Sequence, residues 1–337
     1  VDIAARAGVS EATVSRVLNE KPVAELTREK VLTAIDLLGY ERPARLRRKA
    51  AGLVGLVVPE LTNPVFPLFA QLIETALVKH GYTPVLCTQT PGGVHEDDYV
   101  QMLLERGTSG IIFVSGIHAI TEADVERYTR LVAAGTPIVL VNGHQPEVDA
   151  PSLSQDDALA VQLALRHVVQ LGHTRVGLAL GPARYTPAAR RIAAFERALL
   201  HLDGITGVVE CSQYTVEGGA AATHALLDAG VTAVLCGSDI MAMGAIRAAR
   251  LRGLQVPDEV SVIGSDDGLL AQYSDPPLTT VRQDVTAMSA AAVQALMDEI
   301  AGTPTSRREH LFAPELVVRG STAVARREPV NLSDISA

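Results

Sequence analysis

The chain has 337 residues, 47% of them apolar, and a net charge of −9. That is enough material for two or three units with sizeable cores, and no apolar run approaches the ~20 residues that a membrane span needs. Three scattered cysteines, Cys87, Cys211 and Cys236, exclude a disulfide framework and fit a reducing compartment, each read as a buried small hydrophobe.

The charge is unevenly placed. Residues 1–49 hold ten basic and seven acidic side chains, a net of +3 that leaves −12 for the remainder. A basic head on an acidic body suggests a polyanion held at one end. The opening stretch "VDIAARAGVS" carries Asp2 and Arg6 and lacks the apolar core of an export signal, so a cytoplasmic protein is expected. It begins without Met, so the natural start is expected further upstream.

Taken in order, Ile3, Ala4 and Ala7 give a first helix a short apolar face. Gly8 supplies the positive φ that ends it, Val9 plugs the core, and Ser10 caps the next helix. Val14, Val17 and Leu18 form one inward stripe, leaving Thr13, Ser15, Arg16 and Asn19 elsewhere. Thr27 is read as the cap of a third helix, with Val31, Leu32, Ile35 and Leu38 inward and Gly39 as its stop. Residues 1–41 therefore read as a helix-turn-helix, a unit that pushes one helix into a DNA major groove. There Arg16 suits guanine, Glu11 the amino group of cytosine, Ala12 a methyl contact, and the hydroxyls and amide of Ser10, Thr13, Ser15 and Asn19 the phosphates. A plain solvated face in a small helical bundle fits the same spacing. Residues 42–51 follow as a basic linker. Arg45, Arg47, Arg48 and Lys49 suit phosphates and Leu46 is the one apolar wedge, although a solvated linker reads the same way.

From Gly52 onward apolar strand signals alternate with amphipathic helices. The strands include "GLVGLVV", "TPVLC", "GIIFVS", "PIVLVN", "RVGLALG", "TAVLC" and "VSVIG"; the helices include Leu68–Lys79, Tyr99–Glu105, Ala189–Leu200 and Met241–Arg252. This alternation predicts an α/β body of two doubly wound parallel-sheet lobes, with ligands at the carboxyl ends of the strands. The N-lobe is placed at 52–153 plus 284–310 and the C-lobe at 154–283 plus 311–330, with a disordered tail at 331–337. Catalytic signals are poor. "VHEDDYV" lacks the second His of a zinc helix and reads as the charged start of a helix. There is no phosphate loop and no nucleophile elbow, and the adjacent Asp266 and Asp267 do not make a glycosidase pair. No enzyme, metal or cofactor is expected. Asp156 and Asp157 read as helix-dipole caps.

"DIAARAGVSEATVSRVLN" and "TREKVLTAIDLLGY" resemble the DNA-binding head of the lac-repressor (LacI/GalR) family, and the likeness continues through "GLVGLVVPELTNPVF", "LGHTRVGLALGP", "SDIMAMGAIRAAR", "VPDEVSVIGSDD", "PPLTTVRQ" and "PELVVRGSTA". The resemblance implies a periplasmic-binding-protein-like pair of lobes joined by crossing strands, and a repressor whose grip on a palindromic operator depends on a small sugar. It places Phe66 as a bulky wall of the cleft, Arg191 on ligand oxygens, Tyr214 as a ring packing on the ligand and Asp266 as an acceptor of ligand hydroxyls, with Ser238 and Gln283 as weaker members. Typical members carry a longer linker that forms a hinge helix; here it is shorter. That shortness, with "GYTPVLCTQTPGG" and "GIIFVSG", is similar to actinobacterial maltose-type regulators and implies an α-glucan-derived effector. A homodimer is implied, joined through N-lobe helices and a C-lobe face; the family's tetramer-forming tail helix is not evident. The other reading that the lobes permit is a sugar-binding transport protein with no role on DNA.

Overall fold

The structure is a computed structural model and describes residues 2–19, 21–40, 52–89, 92–303 and 305–326. The chain divides into two compact units, Val1–Ala51 and Gly52–Ala337.

The first unit is three helices: α1 (Asp2–Ala7), α2 (Glu11–Leu18) and α3 (Glu25–Leu37). Gly8 has φ +64°, a backbone setting that a Cβ would strain, and it turns the chain between α1 and α2. Ser10 Oγ accepts from the amide of Thr13 at 3.1 Å, satisfying one of the free donors of α2. Ala4, Val14, Val17, Val31 and Ile35 close the core. Two expectations are corrected. The third helix begins at Glu25 after Ala24, so Thr27 lies inside its first turn. Leu38, past the last helical residue, is exposed, and Ala34 takes an inward place. The basic linker with Arg45, Leu46, Arg47 and Arg48 lies outside the described residues, as does the tail at 331–337.

The second unit is two six-stranded sheets. In the first, the order is β11 (His310–Phe312), β5 (Ser152–Gln155), β4 (Ile138–Val141), β3 (Gly110–Val114), β1 (Leu53–Val58), β2 (Thr83–Thr88), and every pairing is parallel. In the second it is β12 (Glu315–Val317), β10 (Thr279–Arg282), β9 (Ser261–Asp266), β8 (Ala233–Cys236), β6 (Arg175–Leu180), β7 (Thr206–Cys211). Only β12 runs antiparallel there; the other pairings are parallel, as the alternation of strands and helices predicts. The apolar runs read as near-continuous because both sheet faces are covered. In β3, Ile112 and Val114 meet the core under α4 (Val65–Lys79) and α11 (Val285–Ile300). Ile111 and Phe113 meet the core under α5 (Glu96–Glu105) and α6 (Glu126–Ala133). The second sheet repeats this between α7 (Asp157–Gln170) with α8 (Thr186–Leu199) and α9 (Val216–Asp228) with α10 (Asp239–Leu251).

The chain crosses between the lobes three times, after β5, after β10 and between β11 and β12. Two crossings fall two residues later than the sequence boundaries. Ser154 and Gln155 belong to β5, and Leu311 and Phe312 to β11, because their backbones pair in the first sheet. Four helices start two or three residues before their apolar periodicity: their first turns hold polar or Pro residues, as in Glu96–Asp98 and Thr186–Pro187. Cys87 and Cys236 are buried as expected, whereas Cys211, the last residue of edge strand β7, is exposed. No described helix is long and apolar enough to cross a membrane.

Candidate functional site

On α2 the candidate DNA-reading residues form one continuous surface. Ser10, Glu11, Ala12, Ser15, Arg16 and Asn19 are exposed, and Thr13 is half-buried, while Val14 and Val17 face inward. Three of them also hold the helix. The Ser10 and Thr13 hydroxyls pair at 2.8 Å, and Asn19 Nδ2 donates to the Ser15 carbonyl at 2.8 Å, closing the carboxyl end.

The second unit holds a cavity of about 680 Å³ between its lobes, a volume suited to a small organic ligand. It is built almost wholly from residues that follow strands: Pro59 to Phe66 after β1, Ser115 after β3, Asn142 after β4, Gln155 at the end of β5, and Pro182, Tyr214, Gly237, Asp266 and Gln283 after or ending β6 to β10. Parallel strands of both sheets thus point their carboxyl ends at one space.

Arg191 is the best-held group. It is 8% exposed. Nε donates to Asp157 Oδ1 at 2.8 Å, Nη1 to the Gly237 carbonyl at 3.0 Å and Ser265 Oγ at 3.3 Å, and Nη2 to Gln155 Oε1 at 3.4 Å. Of five guanidinium N–H groups this leaves one for a ligand. Burial alone would lower its pKa, but Asp157, Tyr214 and Asp266 nearby raise it, so it stays charged. Burial pushes the Asp157 carboxyl up against the pull of Arg191. Asp157 is therefore a member of the site. The helix cap of α7 is its neighbour Asp156, which accepts from the amide of Leu159 at 2.9 Å. This corrects the reading that gave both aspartates one capping role.

Asp266 ends β9 at φ +109° and lines the cavity. No hydrogen bond to its carboxyl is found among the described residues. Burial, and then the nearby Asp239, hold its pKa well above the usual carboxylate range. Asp239 is itself pushed up to about 6 by burial, against the hydrogen bonds it accepts from Thr280 Oγ1 at 2.6 Å and the Gly268 amide at 2.7 Å. Asp267 points elsewhere, pairing with Arg282 at 2.8 Å and Arg319 at 2.6 Å.

Phe66 and Tyr214 both line the cavity. The Tyr214 ring lies so close to the Gly181 backbone that a Cβ there would overlap it. Burial pushes the Tyr214 hydroxyl up to about 12, so it remains a donor. Gln283 also lines the space, donating to Asn142 Oδ1 at 3.2 Å. Ser238 does not. It is 1% exposed, and its hydroxyl accepts from the Met241 amide at 3.3 Å as the N-cap of α10, so the structure places it under the helix start and not on the cavity surface.

Sequence reasoning missed Ser115, Asn142 and Gln155. Among the described residues, the only non-glycine residues at positive φ are Ser115, Asn142, Asp266 and Asp267; three of these four line the cavity. Such conformations are costly and gather at functional sites. The signal available in sequence was position for Ser115 and Asn142, each the last residue of a predicted strand; Gln155 ends β5, which no apolar pattern announced.

Comparisons with known proteins agree with this geometry. Residues 1–43 match the bacterial regulatory proteins of the lacI family, and residues 165–322 match the periplasmic binding protein-like domain. The chain is 58% identical over 334 residues to the HTH-type transcriptional regulator MalR of Streptomyces coelicolor, covering 97% of each. Among solved structures it is similar to a complex of the transcriptional regulator CelR with cellobiose (TM-score 0.72, 29% identity, 95% of this chain and 98% of that one). It is also similar to the lac repressor dimer bound to operator and the anti-inducer ONPF (TM-score 0.71, 29% identity, 96% and 98%). A helix-turn-helix head followed by two lobes around a cavity, with relatives at this identity and coverage, places the chain in the lacI family of bacterial transcriptional regulators.

Proposed function

We propose that the protein is a cytoplasmic repressor, acting as a homodimer on a palindromic operator, whose DNA affinity is set by a neutral sugar derived from an α-glucan and bound in the interlobe cavity. The observation that carries the sugar is Asp266. Asp266 lines the cavity, its carboxyl accepts no hydrogen bond among the described residues, and ligand hydroxyls are the donors that would satisfy it. Arg191 offers one N–H beside it, and Phe66 and Tyr214 supply faces for the C–H side of a sugar ring. The lining favours a neutral ligand: carboxyls at Glu60, Asp157 and Asp266 stand against two arginines, of which buried Arg191 is already matched by Asp157 and Arg184 is exposed, so a phosphate would meet more negative than positive charge. The similarity to MalR supports the α-glucan source. On DNA, Arg16 reads guanine and Ser10, Glu11, Ala12, Thr13, Ser15 and Asn19 serve neighbouring bases and phosphates. A dimer is supported by exposed apolar residues on both lobes: Leu68 and Val78 on α4, and Leu269, Leu270 and Tyr273 after β9. A dimer sets two reading helices ~34–36 Å apart. The reading assigns no catalytic step and no cofactor.

The test is a thermal-shift screen against glucose, maltose, maltotriose, cellobiose and glucose phosphate, followed by binding to a duplex selected from a random pool, with and without each sugar that stabilises. A neutral glucan sugar is expected to raise the melting temperature and to change duplex affinity by ~5–150-fold. If only the phosphate stabilises, or if duplex affinity ignores every stabilising sugar, the proposal fails. A sugar carrier, the other reading that the lobes permit, would bind sugar yet select no duplex.

A further inference from the structure

One contact between the lobes is separate from the crossing strands. The segment that follows β3 reaches the opposite lobe at Ile120, which forms an isolated antiparallel bridge with Tyr185. The Thr121 amide donates to the Arg184 carbonyl at 2.8 Å, and Thr121 Oγ1 donates to the same oxygen at 3.2 Å. By strand order this contact stands two places from β5 in the first sheet and three from β10 in the second. At ~4.8 Å per place that is roughly 10–14 Å from the crossings. Ala119 on one side, and Arg184 and Tyr185 on the other, line the cavity.

The segment is rigid on its own side. The buried carboxylate of Glu96 accepts from the Ile117 amide at 3.1 Å and also from Gln89 Nε2 and the Tyr128 hydroxyl. Tyr128 Oη accepts from the His118 amide at 3.0 Å, and Gln145 Nε2 donates to the His118 carbonyl at 2.6 Å and the Ile120 carbonyl at 3.2 Å. Glu96, Tyr128 and Gln145 are all buried. A strap tethered by three buried side chains does not swing away alone, so the contact parts only when the lobes part.

We infer that residues 116–121 and Arg184–Tyr185 form a clasp that ties the two lobes together beside the cavity, so that breaking the bonds at Thr121 widens entry to it, with the Glu96 carboxyl holding the strap in place. The inference rests on the cavity being the effector site, but its test needs neither effector nor DNA.

The test uses the full chain carrying Val65→Cys, a cavity-lining position that is 7% exposed. The rate at which fluorescein maleimide modifies the introduced thiol is followed by peptide mass spectrometry, with exposed Cys211 as the internal reference. Thr121→Pro removes both donors to the Arg184 carbonyl, the N–H and the hydroxyl, and Ile120 already has the extended backbone (φ −91°, ψ 129°) that a following proline requires. It is expected to speed modification roughly 3- to 10-fold relative to Cys211, the weight of two donors sharing one acceptor. Thr121→Ala, which keeps the 2.8 Å N–H bond and loses only the longer hydroxyl bond, is expected to speed modification less than Thr121→Pro does. Equal rates in all three proteins overturn the clasp. Should Thr121→Pro not fold, amide exchange in the unsubstituted protein decides the matter. The Thr121 amide is expected to exchange more slowly than that of exposed Glu122, and equal exchange overturns the inference.

Discussion

Arg191→Ala tests whether the cavity floor is held by a buried ion pair. The substitution removes the 2.8 Å bond to Asp157 and the bonds to the Gly237 carbonyl, Ser265 and Gln155. Asp157, 5% exposed, is left as an uncompensated carboxylate. Breaking a buried pair from one side costs about 3–5 kcal/mol, a large share of the ~5–15 kcal/mol that holds a domain. In urea unfolding followed by circular dichroism, with a slope near the upper end for small proteins, this corresponds to a midpoint lower by about 1–1.7 M. The double variant Asp157→Asn/Arg191→Met removes the charge along with its partner and is expected to recover most of the loss, to within about 1–2 kcal/mol. Neither variant should respond to a sugar that stabilises the parent. A midpoint for Arg191→Ala within the error of the parent would refute the buried pair. A double variant that still responds to sugar would make Arg191 a structural residue only.

The raised carboxyls set a pH dependence. Asp239 at about 6, and Asp266 above its ordinary value, favour the protonated form in the folded chain. Their contribution is therefore full below the unfolded value near 4 and is lost as pH rises through the folded one, for Asp239 by about 3 kcal/mol at most. Asp266→Asn should accordingly gain stability over the parent as pH rises from 5 to 8, and a constant difference across that range in urea melts would sink the assignment. Ser10→Ala deletes the cap of α2 and should cost about 0.5–2 kcal/mol of head stability, with weaker duplex binding; an unchanged melt of the isolated unit would contradict the cap. Gly181→Ala forces a Cβ into the Tyr214 ring and should lower sugar affinity by displacing that ring. Unaltered affinity would remove Tyr214 from the site.

Much of this was legible in the residues, for reasons that differ by element. The strands β1, β3 and β4 announce themselves because both faces are buried, so every position is apolar. β5, "SLSQ", is just as buried but polar. Its pairing is decided by neighbours on either side, which no local pattern records. In the same way Asp157 was taken for a cap because aspartates at a helix start usually are. Its partner Arg191 lies 34 positions away, and only the packing of α7 on α8 brings them together. Ser238 failed in the opposite direction: its place after β8 is right for a ligand contact, but a serine before a helix satisfies the helix first.

The four strained residues tie these failures together. A residue just past a parallel strand must turn the chain toward the next helix while leaving its side chain over the carboxyl end of the sheet. At Ser115, Asn142, Asp266 and Asp267 that turn takes a positive φ without glycine. Glycine would make the turn at lower cost but would bring no functional group. Ser115 and Asn142 share a hydrogen bond at 3.3 Å, Asn142 accepts from Gln283, and Asp267 is gripped by two arginines. Three of the four strained residues thus have side chains held by neighbours from other segments of the chain. Asp266 alone has no such hold among the described residues, and it is the one that faces the cavity with its acceptors unspent. The strain at Ser115, Asn142 and Asp267 is offset within the protein; at Asp266 the compensating hydrogen bonds are left for the ligand to supply.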